Sequence, residues 1–397
     1  MRSRFLGTML ILVGCGGGSG SLDAGALDAA IDAAPPRDAG RDAGRDAGPR
    51  DARVVLPDAQ PPADSGSDAS SAGDASADGS SSDAAMSIVA TCATPPPPGA
   101  EAPAPLPTYA GTCPTFVAGT NTIRSSGSDR EFILVLPAGL DPSERPPLIF
   151  MWHWLGGSAS GFLSRGEVQE AADDLRFIAV LPEEKGDLSL KWPYLVPPAH
   201  SDARLAEELQ FFDDMLACVG AQFPINEQCV ASAGVSAGAL WTSQLIQHRS
   251  QHLSSFLSLS GGVGWGDILN PVRPWVGATH ALPGLVLWGG PTDWCGVDFN
   301  RASMELEAGL VADGHYVVEC VHNCAHAQPP IDVPPETSAF DPLWQFVLDH
   351  PYWLPDGVSP WDTTGLPAGT PPWCAIGAGR ATIRAGDCEG GALGDCS

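Results

Sequence analysis

Seven short, largely apolar runs alternate with stretches of helical spacing between residues 131 and 321. The apolar runs cover 131–137, 146–152, 176–181, 229–235, 254–259, 285–288 and 316–321. Apolar residues recur at helical spacing in the stretches 160–174, 205–222, 237–249 and 300–313. Continuous apolar strands that alternate with helices are typical of parallel sheets covered on both faces. The pattern therefore predicts an α/β domain with a mostly parallel central sheet and helices on either side.

After this region the pattern changes. Residues 338–348 have apolar positions near helical spacing and predict a last helix, and after about residue 351 the chain becomes rich in Pro, Gly and Trp. We therefore expect the folded domain to occupy 91–350. Residues 351–397 contain three cysteines and are predicted to form an irregular tail that disulfides hold in place.

Residues 16–90 have a composition of their own. They contain thirteen Asp and five Arg but no Lys, no Glu and no aromatic residue. The sequence Arg-Asp-Ala-Gly occurs three times in succession between residues 37 and 48. Such a segment cannot bury enough apolar surface to offset its ordering entropy, so it is predicted to be a disordered linker.

The first fifteen residues predict an export signal. Arg2 and Arg4 precede an apolar run, 5–13, that is too short to span a bilayer, and small residues follow it. The end of this segment, Leu-Val-Gly-Cys15, resembles the lipobox of bacterial lipoproteins, which implies cleavage before Cys15 and a lipid on its sulfur. The alternative is an ordinary secretory signal in which this cysteine is incidental.

Charge and cysteine content limit the partners and the cellular compartment that can be expected. The formal net charge is −27, and a protein that binds nucleic acid needs a basic surface, so no nucleic-acid partner is expected. If Cys15 carries a lipid, ten of the eleven cysteines remain, an even number that suits disulfides in an oxidising compartment. The pairings considered are Cys92–Cys113, Cys218–Cys229, and Cys295 with Cys320 or Cys324.

Gly234-Val-Ser236-Ala-Gly238 matches the motif G-x-S-x-G. It follows a predicted strand, 229–235, and opens a predicted helix, which is the setting of a nucleophile elbow. The turn is strained and crowded, so it needs small residues beside the serine. Ser236 is therefore the candidate nucleophile.

A serine hydroxyl needs a base, and the base needs an orienting carboxylate. Asp293 follows the strand 285–288, with Asp298 as the alternative. His326 lies in the loop after the last strand and is the candidate base. His322 competes with it, whereas His315 precedes that strand and is expected at the wrong end.

The alternation of Cys320, His322, Cys324 and His326 allows a second interpretation. In an extended strand these side chains would share one face, a spacing compatible with zinc. An oxidising compartment favours disulfides over metal thiolates, so no metal is predicted.

An oxyanion needs two backbone N–H donors. The N–H of Ala237, directly after the candidate nucleophile, is one candidate, and that of Trp154 or Leu155, in the loop after the strand 146–152, is the other. His153 is expected to brace this loop rather than act as a base. Trp154, Trp192 and Trp294 are also candidates for an aromatic wall that contacts substrate.

From about Arg130 to His326 the chain resembles an α/β-hydrolase. It is most similar to the secreted branch that contains poly(3-hydroxybutyrate) depolymerases, feruloyl esterases and acetylxylan esterases. The motifs that carry the resemblance are Pro147 to His153 with Gly156-Gly157, Gly234 to Gly238, Trp288 to Asp293, and Cys324-Ala-His326 with Pro329. It implies the α/β-hydrolase fold and a cofactor-free Ser–His–Asp esterase, with Ser236 as nucleophile, His326 as base and Asp293 as acid.

Two positions depart from that branch. Trp154 and Ala325 stand where it commonly has glycine, and this makes substrate preference less transferable than mechanism. We expect a monomeric serine esterase for small or polymeric esters, secreted or anchored by lipid to a bacterial membrane. A serine peptidase with the same triad and a non-catalytic envelope lipoprotein are the alternatives.

Overall fold

Nine strands form one sheet within residues 90–388, the part of the chain that this computed structural model describes. The strands are β1 (Gly119–Ser125), β2 (Ser128–Val135), β3 (Leu148–Trp152), β4 (Ile178–Pro182), β5 (Val230–Val235), β6 (Ser255–Leu259), β7 (Gly284–Trp288), β8 (Val317–Val321) and β9 (Cys374–Ile376). Their order is β1-β2-β4-β3-β5-β6-β7-β8-β9. The six strands from β4 to β8 run parallel, and antiparallel pairs complete both edges. The predicted mostly parallel sheet is confirmed.

Seven α-helices accompany the sheet in the described region. They are α1 (Ala159–Arg165), α2 (Val168–Leu175), α3 (Asp202–Gln222), α4 (Ala237–Arg249), α5 (Phe299–Ala312), α6 (Asp341–Leu348) and α7 (Trp361–Thr364). Side chains of α3, α4 and α5 pack into one apolar cluster, and those of α1, α2, α6 and α7 pack into a second. Strand residues alternate between the two clusters, so helices cover both faces as predicted.

Several predictions concern residues outside this region. The proposed signal at 1–15, with the lipidation candidate Cys15, lies there, as does the proposed linker apart from Ala90. The last nine residues of the proposed tail also lie there. From residue 90 to residue 388, no helix has both the length and the apolar character needed to cross a membrane.

The sheet extends further at both edges than the apolar runs indicate. At one edge, β1 and β2 form a hairpin around Ser126 and Gly127, which both have positive φ. At the other, β9 pairs with β8 inside the segment predicted to be an irregular tail. The single helix predicted for 160–174 is instead two helices, because Glu167 between them adopts a left-handed φ of 46°.

Four disulfides join distant parts of the described chain: Cys92–Cys229, Cys113–Cys218, Cys320–Cys374 and Cys324–Cys388. The pairings considered from the sequence are therefore wrong, including the bridge from Cys295 to the loop after β8. Of the two cysteines in the N-terminal segment, Cys92 is bonded to Cys229, directly before β5, and Cys113 to Cys218 in α3. The pairing of β9 with β8 sets Cys374 directly opposite Cys320.

The parallel strands place the candidate residues together. β3, β5, β6, β7 and β8 run in the same direction, so the loops at their carboxyl ends meet along one edge of the sheet. Every residue proposed for catalysis lies in one of these loops or at the start of the helix that follows it.

A buried carboxyl pair lies between α5 and β8. Glu307 and Glu319 are 4% and 5% exposed, and Glu319 Oε2 accepts a 2.6 Å hydrogen bond from Ala381 N–H. Burial, together with the negative charge of Glu319, raises the pKa of Glu307 to about 9. Glu307 is thus protonated at neutral pH in the folded protein.

Replacing Glu307 with glutamine should increase stability at alkaline pH. The folded-state pKa lies above the ordinary value, so its contribution to stability is complete below about pH 4.5 and is lost as pH rises towards 9. Glutamine stays neutral and removes this loss. We expect Glu307→Gln to raise the melting temperature relative to wild type by about 5 °C more at pH 8.5 than at pH 5.

The exposed Glu131→Gln variant is the control, and its melting temperature should follow that of wild type at both pH values. Taking the difference from wild type cancels the titration of other groups, such as the buried histidines. A Glu307→Gln effect that is equal at pH 5 and pH 8.5 would contradict the assignment.

Candidate active site

Ser236 occupies the sharp turn between β5 and α4. Its backbone has φ +54° and ψ −118°, a conformation that costs a non-glycine residue about 1–3 kcal/mol. Its N–H donates to Leu259 O at 2.9 Å, which joins the turn to β6. The strained turn holds the serine side chain at the edge of the sheet.

The two glycines of the motif are required by packing. A Cβ atom at Gly234 would overlap the Gly238 carbonyl, and a Cβ atom at Gly238 would overlap the Trp152 carbonyl. The strand before the turn and the helix after it therefore approach each other, and β3, more closely than any side chain allows.

His326 lies in the loop after β8, as the sequence predicts. Its Nε2 is 2.9 Å from Ser236 Oγ, and its ring stacks on Phe299 with a centroid separation of 4.3 Å. Ala325, which precedes it, has φ +54°, in the left-handed region that favours glycine. A Cβ atom at Gly289 would overlap the Ala325 carbonyl, so the absence of a side chain at Gly289 lets the loops after β7 and β8 lie against each other.

Asp293 follows β7 and is 1% exposed. Its Oδ1 lies 2.7 Å from His326 Nδ1. Its Oδ2 accepts hydrogen bonds from Gly289 N–H and Ser260 Oγ–H, both at 2.8 Å. Both carboxylate oxygens are thus engaged, and the orientation of the group is fixed. Ser260 has no motif of its own and was not found from the sequence.

The competing residues have other roles in the structure. Asp298 is the N-cap of α5 and accepts from Arg301 N–H at 3.0 Å. His322 is fully buried, which lowers its pKa to about 4, and its Nδ1 accepts from Cys324 N–H. His315 lies 2.8 Å from Leu282 O, at the other end of β8.

The zinc interpretation does not fit the structure of this segment. Cys320 and Cys324 are both in disulfides and cannot supply thiolates. Across residues 90–388, no group of three or more His, Cys, Asp or Glu side chains is arranged to hold a metal ion.

The candidate oxyanion donors belong to residues that line the same cleft. Ala237, Leu155 and Trp154 all line it, and none of their backbone N–H groups donates to an acceptor in the described region. The Trp154 indole lies over Gly157, where a Cβ atom would be 2.8 Å from the ring. Because residue 157 is a glycine, the large Trp154 side chain can pack against its own loop.

His153 braces this loop. It is fully buried, and its Nδ1 and Nε2 lie 3.0 Å from Trp154 O and 3.1 Å from Glu183 Oε1. Burial alone would raise the pKa of Glu183, but hydrogen bonds from His153 and the Ala159 N–H hold it below its ordinary value. The geometry matches the bracing position expected for His153.

The cleft above Ser236 is mostly apolar. The side chains that line it include Phe162, Tyr194, Leu259, Phe299, Phe340 and Trp344. Two of these come from α6 and its N-terminus, a segment that the sequence identifies only as amphipathic. An apolar cleft with few polar groups suits a small organic ligand.

Only one of the three tryptophans predicted to contact substrate lines this cleft. Trp154 does, whereas Trp192 is fully buried and donates from Nε1 to His153 O at 2.8 Å. Trp294 is 62% exposed and lies outside the lining. The prediction for Trp192 is wrong, because a fully buried indole cannot contact substrate. The role of Trp294 stays a prediction.

Comparisons with known proteins point to one group of relatives. No family model matches the chain. The chain is 28% identical over 158 residues to a probable feruloyl esterase C of Aspergillus terreus. The aligned region covers 38% of this chain and 53% of that protein. It is 25% identical over 259 residues to feruloyl esterase C of Emericella nidulans, covering 60% and 89%. The chain thus spans about half the length of the first relative and most of the second.

Solved structures show the same fold. Native sOPH matches with a TM-score of 0.52 at 19% identity, over 69% of this chain and 98% of that one. Native pOPH matches with a TM-score of 0.53 at 18% identity, over 67% and 97%. Together with the sheet order and the elbow, these likenesses show that the chain has the α/β-hydrolase fold. The two sequence relatives described above are named as feruloyl esterases, one of them as a probable one.

Proposed function

We propose that this protein is a serine carboxylic-ester hydrolase in which Ser236 is the nucleophile, His326 the base and Asp293 the orienting acid. The observation that carries the proposal is the unbroken chain of contacts from Ser236 Oγ to His326 Nε2, at 2.9 Å, and from His326 Nδ1 to Asp293 Oδ1, at 2.7 Å. Hydroxyl, imidazole and carboxylate in this order are the elements of a serine hydrolase triad.

In the proposed acylation step, Ser236 Oγ forms a bond to the ester carbonyl carbon while His326 Nε2 takes the hydroxyl proton. Asp293 holds the imidazole with its proton on Nδ1 and stabilises the imidazolium that forms. The N–H groups of Ala237 and Leu155 or Trp154 donate to the oxyanion. The bond to the alcohol oxygen then breaks, and His326 returns the proton to the leaving alcohol.

Deacylation repeats the same steps with water. His326 Nε2 removes a proton from a water molecule as its oxygen bonds to the acyl carbon, and the bond to Ser236 Oγ breaks as that oxygen regains a proton. The products are a carboxylic acid and free enzyme. The two halves consume one water for each ester, with no cofactor.

The apolar lining and the names of the relatives favour esters with an aromatic or extended apolar part. We propose feruloyl-type or polyester substrates, on a domain carried outside the cytoplasm. Four disulfides among the described residues support that compartment. Lipid attachment at Cys15 and a monomeric state remain proposals from the sequence.

The test compares two substrate classes and one covalent probe. The purified protein is assayed with 4-nitrophenyl acetate, 4-nitrophenyl butyrate and methyl ferulate, and with aminoacyl 4-nitroanilides. A fluorophosphonate is then mapped by peptide mass spectrometry. We expect ester hydrolysis and labelling at Ser236. Preferential cleavage of the anilides would identify a peptidase, and neither hydrolysis nor labelling would identify a non-catalytic protein.

A further inference from the structure

Arg165 places a positive charge at the edge of the candidate active site. It is the last residue of α1, is exposed, and lines the cleft above Ser236. Its guanidinium carbon lies 5.0 Å from the centroid of a Trp154 ring. The side chain therefore extends along the same wall as the proposed oxyanion loop.

This guanidinium has no acidic partner in the described part of the chain. Within residues 90–388 it makes no ion pair and donates no hydrogen bond, whereas Arg176, Arg204 and Arg249 each pair with a carboxylate at 2.9 Å or less. The residues that line the cleft include no Asp and no Glu. The contact with Trp154 holds the cation beside the cleft without neutralising it.

Most cationic side chains of the domain do have an acidic partner. Nine of the thirteen Lys and Arg side chains after residue 90 form an ion pair within the described residues, whereas Arg145, Arg165, Arg380 and Arg384 form none. After residue 90 the sequence has thirteen Lys and Arg side chains against thirty-four Asp and Glu. With that excess, most cations near a surface find a carboxylate. Arg165 faces an apolar cleft and has no carboxylate partner there. It is therefore available to an anion that enters the cleft, since guanidinium matches carboxylate geometry.

We propose that the substrates of this site carry a carboxylate in addition to the ester that is cleaved, and that Arg165 pairs with this carboxylate. The inference rests on the proposed ester hydrolysis and specifies its substrate class. Arg165 is a specificity residue, because it acts on an unreactive part of the substrate and takes no part in proton transfer.

The experiment uses pairs of esters in which one member carries a free carboxylate and the other carries its methyl ester. Mono-4-nitrophenyl adipate is compared with its methyl-capped neutral counterpart after the uncatalysed rate of each ester is subtracted, and this pair tests a charge on the acyl side. Phenyl butyrates with 4-carboxyl or 4-methoxycarbonyl groups place it on the alcohol side. For wild type, kcat/KM should be about 5-fold higher for the anionic member of at least one pair at low salt, as expected for one partly exposed ion pair. Sodium chloride should reduce this preference.

Arg165→Gln should abolish the preference, so that the ratio of kcat/KM between the anionic and the neutral member of each pair falls to about 1, while Arg165→Lys keeps part of the preference. The matched control is Arg301→Gln, because Arg301 also lies over a tryptophan, Trp265, at 3.7 Å, but outside the cleft lining. It removes the same charge and should leave the preference intact.

The outcomes separate the two proposals. Hydrolysis of the neutral esters with no anionic preference, or with a preference that survives Arg165→Gln, overturns the role of Arg165 alone. An equal loss in Arg301→Gln also overturns it, since net charge would then explain the effect. Absence of hydrolysis for every ester overturns the proposed function and this inference with it.

Discussion

Replacing Ser236 with alanine should lower kcat for 4-nitrophenyl butyrate by about 10⁴-fold or more, with little change in the melting temperature. The expected loss is large because no other hydroxyl meets His326 Nε2, which bonds Ser236 Oγ at 2.9 Å in the described structure. Stability should be kept because the backbone strain at φ +54° is the same for both side chains. The measurements are steady-state kinetics and thermal unfolding.

Ser126→Ala is the matched control. Ser126 also has a positive φ, of 48°, but lies in the exposed turn between β1 and β2. It should retain wild-type kcat. If Ser236→Ala keeps full esterase activity, another group is the nucleophile and the proposed mechanism is wrong.

The α/β layout was predictable because buried parallel strands leave a simple signature. Each of the seven apolar runs contains or overlaps a strand, and the helix that follows Ser236 begins and ends as predicted. β1 was missed because its buried positions, including Asn121 and Ser125, are largely polar and alternate with exposed residues. β9 has three residues, and its strand character depends on pairing with β8 and on the bridge from Cys374 to Cys320.

The candidate site was predictable only where it has a local signature. The elbow motif and the fixed order of strand-end loops identify Ser236, Asp293 and His326. Ser260 and Arg165 carry no such signature, because their positions beside the acid and the cleft depend on how separate loops and helices pack. The disulfide pairings were predicted wrongly for the same reason, since the bonded cysteines lie 54 to 137 residues apart in the sequence.

Replacing Asp293 with asparagine should lower kcat by about 10³- to 10⁴-fold while changing KM by only a few-fold. The surroundings of this side chain determine the result. The Gly289 N–H can only donate, and it meets the carboxylate oxygen that does not contact His326. In the asparagine variant the amide oxygen must occupy that side, so the amide N–H₂ turns towards His326 Nδ1. The imidazole then carries its proton on Nε2 and cannot accept one from Ser236.

Asp298→Asn is the matched control for this prediction, and it also tests the alternative acid. Asparagine caps a helix about as well as aspartate, so the N-terminus of α5 should be preserved along with kcat. The pair of variants distinguishes an orienting carboxylate from a general loss of negative charge near the cleft. Equal activity losses in both would show that the orientation imposed by Gly289 and Ser260 is not what Asp293 contributes. A loss in Asp298→Asn alone would transfer the role of the acid to that residue.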